Sequence, residues 1–420
     1  MAVTPSTLTE LTDLAKDYFT NVWVNQTNPE TALKSQFARL ENANFTGKKW
    51  IFGVKLQIGG GSANAGANKT LPAADEGKYD QGEATVVRTY TRMALDGLAI
   101  EVTKRQAGSF RPALAETMSD RLQAHDLEVN RQLFSGGDGF LAGIPATADG
   151  ASATQTLDTD YAVTNGGLGT RHLYVGDQVA FYQSDGTTLI ARKTVTAVDH
   201  ANNQIDVDST VTTTDAGYVT RSTSDTDNIT DGEVNGLLAS VEASNTFEAI
   251  PITLGWQSIV MANSGNLRDI SDSLVMQMIE TIRSRSRQTP NLIVTRPGIV
   301  LKYSEIFLPL RRLDGQDVQL KGGYKPIAAV IHAGGSIPVI GDVDCPSSRM
   351  FFLNTSAFRM ADLIGTEWAD MDGATFDRVT DKDAIEGYIR KYHNLITVQR
   401  NGNGVIEDLN DVAALERVAA

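Results

Sequence analysis

An α+β fold carrying an inserted small all-β domain is what this sequence predicts, and three observations predict it. A pair of strands joined by a Gly-rich connection precedes the one long amphipathic helix, Ser109 to Phe134. Short strands between Gly- and Thr-rich flanks then fill residues 145–235. Helices and strands alternate in the half that follows.

Element by element, residues 1–48 read as an arm. Leu8, Leu11, Leu14, Ala15 and Phe19 lie on one side of a helical stretch from Thr7 to Thr20; Asn28 and Pro29 interrupt it, and Leu33, Phe37 and Leu40 resume the stripe. Residues 49–108 read as a long hairpin. Its first strand runs from Trp50 to Ile58, its tip from Gly59 to Gly82, and its return through Ala84 to Leu95 and Gly97 to Lys104. An isolated two-stranded ribbon is marginal in water. Its apolar face (Val54, Leu56, Ile58) is expected to lie on an adjacent copy of the chain, because nothing nearby in the sequence supplies a surface.

Residues 109–144 are assigned to the long helix. Ser109 is a good N-cap, Pro112 fits the first turn, and Gly136-Gly137 stops the helix after about 39 Å at ~1.5 Å per residue. Residues 145–235 are read as a β-barrel or sandwich, with strands at His172 to Tyr182, Thr188 to Val198, Gln204 to Ser209 and Tyr218 to Arg221. Residues 236–355 carry helices at Ile270 to Arg287 and Pro297 to Phe307, a polar loop from Leu310 to Gly323, and strands. Residues 356–420 end in two strands about the Asn401-Gly402-Asn403-Gly404 turn.

The totals exclude several classes of function. With 420 residues, 41% of them hydrophobic, the chain can build two or three cores. No apolar run reaches the ~20 residues of a membrane span, and the polar N-terminus has no signal-peptide pattern, so synthesis and folding in the host cytoplasm are expected. A single cysteine, Cys345, precludes an internal disulfide or a thiolate-rich metal site. A net charge of -14 argues against a protein that grips DNA through its phosphates.

Catalytic signals are missing. His125, His172, His200, His332 and His393 are scattered, and Gly59-Gly60-Gly61-Ser62 lacks the Lys-Ser/Thr ending of a phosphate loop. No Gly-x-Ser-x-Gly elbow occurs. Asp206 and Asp208 alternate along a strand, which explains them as solvent-facing residues without calcium. Arg283, Arg285 and Arg287 read as a solvated helix end, with a DNA or acidic-neighbour contact as the second reading. No catalytic, cofactor-binding or metal residue is therefore assigned.

The order of parts resembles the major capsid proteins of tailed double-stranded DNA bacteriophages, the HK97-like fold. The passage Ile337-Pro-Val-Ile-Gly-Asp-Val-Asp-Cys-Pro-Ser-Ser-Arg-Met-Phe-Phe-Leu-Asn354 is similar to that family's recurrent Pro-Val, Asp, Cys-Pro and Phe-Leu-Asn pattern. Tyr392 to Leu409 resembles its C-termini. The resemblance implies an N-terminal arm, an extended E-loop hairpin, a P-domain with a long spine helix, and an A-domain; the inserted β module is extra. It also implies pentamers and hexamers of an icosahedral shell enclosing double-stranded DNA without sequence-specific binding, in a virion assembled in a bacterial cytoplasm. Expected partners are further copies of the chain, a separate scaffolding protein, a portal and a decoration protein, with no cofactor and no membrane. The inter-subunit contacts are expected at Trp50, Val54, Leu56, Ile58, Lys69, Tyr90 and Arg92, and at Arg311, Arg312, Asp314 and Asp317 near a capsomer centre. Lys69 and Lys78 occupy the hairpin tip, where some members carry a crosslinking lysine; ordinary loop lysines are the leading reading, because no partner Asn with an adjacent catalytic Glu is identified. An encapsulin-like nanocompartment shell is the alternative, and an enzyme with a β-sandwich appendage the third reading.

Overall fold

The computed structural model describes residues 31–39, 49–64, 66–67, 70–104, 113–146, 149–213, 215–221, 232–243, 246–252, 255–306, 328–332, 335–370, 375–380 and 382–411. Most of the expected arm, the polar loop 310–323 and Lys69 lie outside the described residues.

The long helix spans Ala113–Gln132. Ser135 and Gly136 follow, and Gly137 takes φ +84°, a left-handed conformation that glycine adopts without a Cβ clash. The helix lies against a sheet whose central strand is Ala384–Thr397. Val87–Asp96 pairs antiparallel with one side of that strand and Phe358–Trp368 with the other; Ala38–Arg39 adds a short parallel edge. Burial alternates along the central strand from Gly387 to His393, with Ile389, Lys391 and His393 buried, and every residue from His393 to Thr397 is buried.

The second sheet has six strands in mixed orientation. Its order is Ile259–Met261, Gly404–Ile406, Met350–Leu353, Leu292–Thr295, Gly335–Gly341 and Ala328–His332. Leu292–Thr295 and Met350–Leu353 are buried throughout, as a strand covered on both faces must be. Helices Asp272–Ser286 and Pro297–Ile306 cover one face through Val275, Met278, Ile282, Ile299 and Tyr303. On the other face Leu33, Leu133, Phe134, Phe358 and Leu395 join the sheet to the helix and the first sheet in one core.

The inserted module is a six-stranded antiparallel sheet. Its strand order is Phe140–Ile144, Gly217–Arg221, Gln178–Gln183, Leu189–Asp199, Gln204–Thr213 and Gly150–Thr156. It has a core of its own, including Leu141, Val179, Phe181, Val195, Ile205 and Val219.

Several expectations fail here, each for a tertiary reason. The hairpin does not return through Ala84 to Leu95. Lys49–Gln57 pairs with Lys78–Thr85, drawn from the expected tip, and the chain then leaves the ribbon so that Val87–Asp96 joins the central sheet. Gly97–Lys104 is a helix instead of a strand; Asp96 accepts from the Ala99 N–H at 3.3 Å, and the Thr103 hydroxyl donates to the Ala99 carbonyl at 2.7 Å. Phe140–Ile144, expected with the long helix, pairs inside the inserted sheet. The two C-terminal strands do not pair with each other: Ala384–Thr397 belongs to the first sheet and Gly404–Ile406 to the second.

Candidate assembly surface

The ribbon has two unequal faces, set by the two-residue period of a strand. Trp50, Phe52, Val54 and Leu56 are half-buried, while Ile51, Gly53 and Lys55 between them are exposed. Across the pair, Gly82 stands opposite Phe52, and a Cβ there would fall 2.4 Å from the Phe52 ring, so only glycine lets that ring lie over the partner strand.

What covers the inner face is the chain itself. Phe52, Val54 and Leu56 pack against buried Phe247, Ile250 and Trp256. The Glu83 N–H donates to the Glu248 carbonyl at 2.8 Å, and a Cβ on Gly255 would lie 2.2 Å from the Leu56 carbonyl oxygen. Val54 and Leu56, expected to need a neighbouring molecule as cover, find cover within the chain, and Trp50 is half-buried. The seat was invisible in the sequence because Phe247 to Trp256 lies about 200 residues away along the chain.

The seat is a tight turn. Phe247 and Ile250 exchange backbone hydrogen bonds at 3.0 and 3.1 Å, and Glu248 and Ala249 take φ 50° and 65°. Burial pushes the Glu248 carboxyl up to about 8, although the Thr397 N–H donates to it and Arg400 lies near.

The outer face and the tip remain uncovered. Ile51 is 58% exposed, Tyr79 71%, Ile58 78% and Leu71 81%. Singly, exposed apolar side chains are ordinary; here four fall on one ribbon. Lys49 and Glu83 pair across its root at 2.5 Å, and Lys55 lies over the Tyr79 ring at 5.5 Å. Lys78 begins the second strand opposite Gln57.

Tyr90 and Arg92, expected on the ribbon, stand instead on the outward face of the first sheet. The Tyr90 hydroxyl is 3.1 Å from that of Tyr392, its ring meets Tyr388 and Tyr392 edge-on, and Arg92 forms an ion pair with Glu386. Ile58, expected on the apolar face with Val54 and Leu56, lies just past the strand's end at Gln57 and is exposed. Lys69, Arg311, Arg312, Asp314 and Asp317 lie outside the described residues.

A buried polar network, missed in the sequence, ties the inserted module to the body. Arg131 of the long helix pairs with Glu128 at 2.6 Å and with Glu233, and Arg221 of the module reaches the same Glu128. Burial opposes ionisation of Glu128, but the two guanidiniums outweigh it and hold its carboxyl down to about 2. Fully buried Asp160 accepts from Arg171 at 2.9 Å and from the Ser347 N–H and hydroxyl at 3.2 and 3.1 Å. Asn130 donates to Asp344 at 2.7 Å, and the Leu33 N–H to Asp342 at 3.1 Å, which anchors the end of the arm. Only burial distinguishes these residues from the other carboxylates and arginines.

Among the described residues no three or more His, Cys, Asp or Glu side chains converge as a metal site, and no helix is long and apolar enough to cross a membrane.

No family model matches the sequence, and no curated protein is similar to it. Solved structures are similar in fold. The cyanophage A-1(L) capsid asymmetric unit aligns at a TM-score of 0.53 and 13% identity, over 95% of this chain and 98% of that one. A chain of Mycobacterium phage Bobi aligns at 0.50 and 9% identity, over 97% and 99%. The holo-SrpI encapsulin complex from Synechococcus elongatus aligns at 0.46 and 8% identity, over 97% of both chains. At these identities the likeness shows the fold alone: the chain has a mixed α+β, HK97-like fold.

Proposed function

We propose that this chain is the major capsid protein of a tailed bacteriophage, assembling into the pentamers and hexamers of an icosahedral shell around double-stranded DNA. The observation that carries this reading is the ribbon's uncovered outer face and tip, with Ile51, Tyr79, Ile58 and Leu71 exposed while the inner face is held on the body. In this reading residues 49–85 form the E-loop, whose outer face and tip reach a neighbouring copy. Its inner face stays on its own body. The aromatic and basic sheet face at Tyr90, Arg92 and Tyr392 forms a second inter-subunit contact, and Ala113–Gln132 serves as the spine helix. The chain works without cofactor or catalysis. Its partners are further copies of itself, a separate scaffolding protein, a portal and a decoration protein. The net charge of -14 suits a wall that encloses DNA without holding it by phosphate contacts.

The test is assembly. Electron microscopy of the chain purified from cells that supply all of its assembly partners, portal included, is expected to show closed particles holding DNA. The double variant Ile51→Asp, Tyr79→Asp should fold with an unchanged circular dichroism spectrum and form no particles. A wild-type chain that remains monomeric at high concentration, or a double variant that assembles as well as wild type, overturns the reading. Particles that contain protein cargo and no DNA replace the capsid with a nanocompartment shell.

A further inference from the structure

We propose that the spine helix and the central sheet meet in an acid-sensitive joint built on His125 and His393, closed while both imidazoles are neutral and opened when they take up protons. His125 projects from the helix and His393 from the inward face of the central strand, and neither is accessible to solvent. The Nδ1 of His125 lies 3.0 Å from the Thr91 hydroxyl, while its Nε2 and both ring nitrogens of His393 are buried without a hydrogen-bond partner among the described residues. A protonated imidazole must place two N–H donors and a charge; the Thr91 hydroxyl can serve His125 Nδ1, but burial of the remaining ring nitrogens makes the added donors and charge costly.

Charges of both signs surround the joint, and burial is the largest influence opposing a further cation. Lys391, 1% exposed, projects from the same strand face and sits 3.7 Å from Asp362 of the flanking strand. Lys34 of the arm end pairs with Asp126 of the helix at 2.6 Å, and Glu128 stands one turn along the same helix face. Burial first, and then Lys391 and Lys34, hold His125 down to about 4; burial, Lys391 and His125 itself hold His393 well below the ordinary range. The carboxylates of Asp126 and Glu128 act in the opposite sense on His125 and do not offset burial.

The direction of the effect follows. Both groups bind protons more readily when the joint is open than when it is closed. Nothing is lost above the ordinary imidazole value of 6.5; closure weakens as pH falls below it, and the weakening is complete for His125 near 4. Because the second sheet has its own apolar core with helices Asp272–Ser286 and Pro297–Ile306, the joint opens before that core does.

Amide hydrogen exchange of the full chain, in the state in which it purifies, tests this between pH 7 and 4 with intrinsic rates corrected for pH. Protection factors in 113–132 are expected to fall at least tenfold while those in 292–295 and 350–353 hold. His125→Gln with His393→Gln should move that loss to lower pH. Lys391→Met, which removes the neighbouring charge and keeps both histidines, should also move it to lower pH and decides the matter if the histidine pair does not fold. The proposal is overturned if helix and second sheet lose protection together, or if the transition stays at the same pH in whichever of these variants folds.

Discussion

Asp160→Ala is expected to destabilise the protein by about 3–5 kcal/mol, the usual cost of removing one partner from a buried ion pair. Asp160 is fully buried in the inserted module and accepts from Arg171, from the Ser347 N–H and hydroxyl, and from the Gly167 N–H at 3.1 Å. Without it the Arg171 guanidinium, 8% exposed, retains its charge while losing its carboxylate; the backbone carbonyls of Val343 and Cys345 still accept from it. Ser347 and Cys345 belong to the loop before the second sheet's Met350–Leu353 strand, so the loss falls on the seam between module and body. Chemical denaturation should show the midpoint lowered, with limited proteolysis cutting first near the flanks of residues 145–235. Asp160→Asn, which keeps the acceptor oxygen and loses the charge, should cost less than Asp160→Ala. Equal stability of wild type and Asp160→Ala would show that the network contributes nothing net.

Trp256→Ala should cost about 3–5 kcal/mol, the range for truncating a buried aromatic side chain. Trp256 is the largest fully buried side chain and forms the floor on which Phe52, Val54 and Leu56 rest. Because the cluster is small and separate from the main cores, the loss should be local. The ribbon should become the first site of proteolysis, between residues 49 and 85, and amide exchange should quicken there before the second sheet is affected. Assembly should fail as well, since a ribbon detached at its root presents Ile51 and Tyr79 in no fixed direction. A variant that unfolds globally, with no preferential exposure of the ribbon, would show that Trp256 serves the whole fold instead.

Much of the architecture was legible along the chain. The apolar stripe through Met118, Leu122, His125 and Val129, closed by Gly136-Gly137, marks the long helix because a helix face repeats within four residues. Alternation from Trp50 to Ile58 marks the first ribbon strand for the same local reason. The short runs of residues 145–235 mark a β module, and the passage Ile337 to Asn354 carries the resemblance to the HK97-like fold.

Partners were not legible. The run from Ala84 to Lys104 alternates enough to look like one strand, yet it divides among ribbon, central sheet and helix. Its pairing is decided by Ala384–Thr397, some 300 residues later, and by the capping carboxylate of Asp96. Val54 and Leu56 have the pattern of a half-buried face, and the pattern is correct; that the cover is Trp256 of the same chain is a fact of folding at long range.

By itself the sequence determined the long helix, the first ribbon strand and the β module that interrupts an α+β body, because each depends on side-chain periodicity within a few residues; Gly97–Lys104, where that periodicity is ambiguous, was not among them. The tertiary structure alone decided which strand pairs with which and which face of the ribbon is left open. It also decided which of 51 carboxylates and 37 basic side chains are buried together. Those outcomes rest on burial and on hydrogen bonds between residues remote in the chain, and no local pattern encodes them.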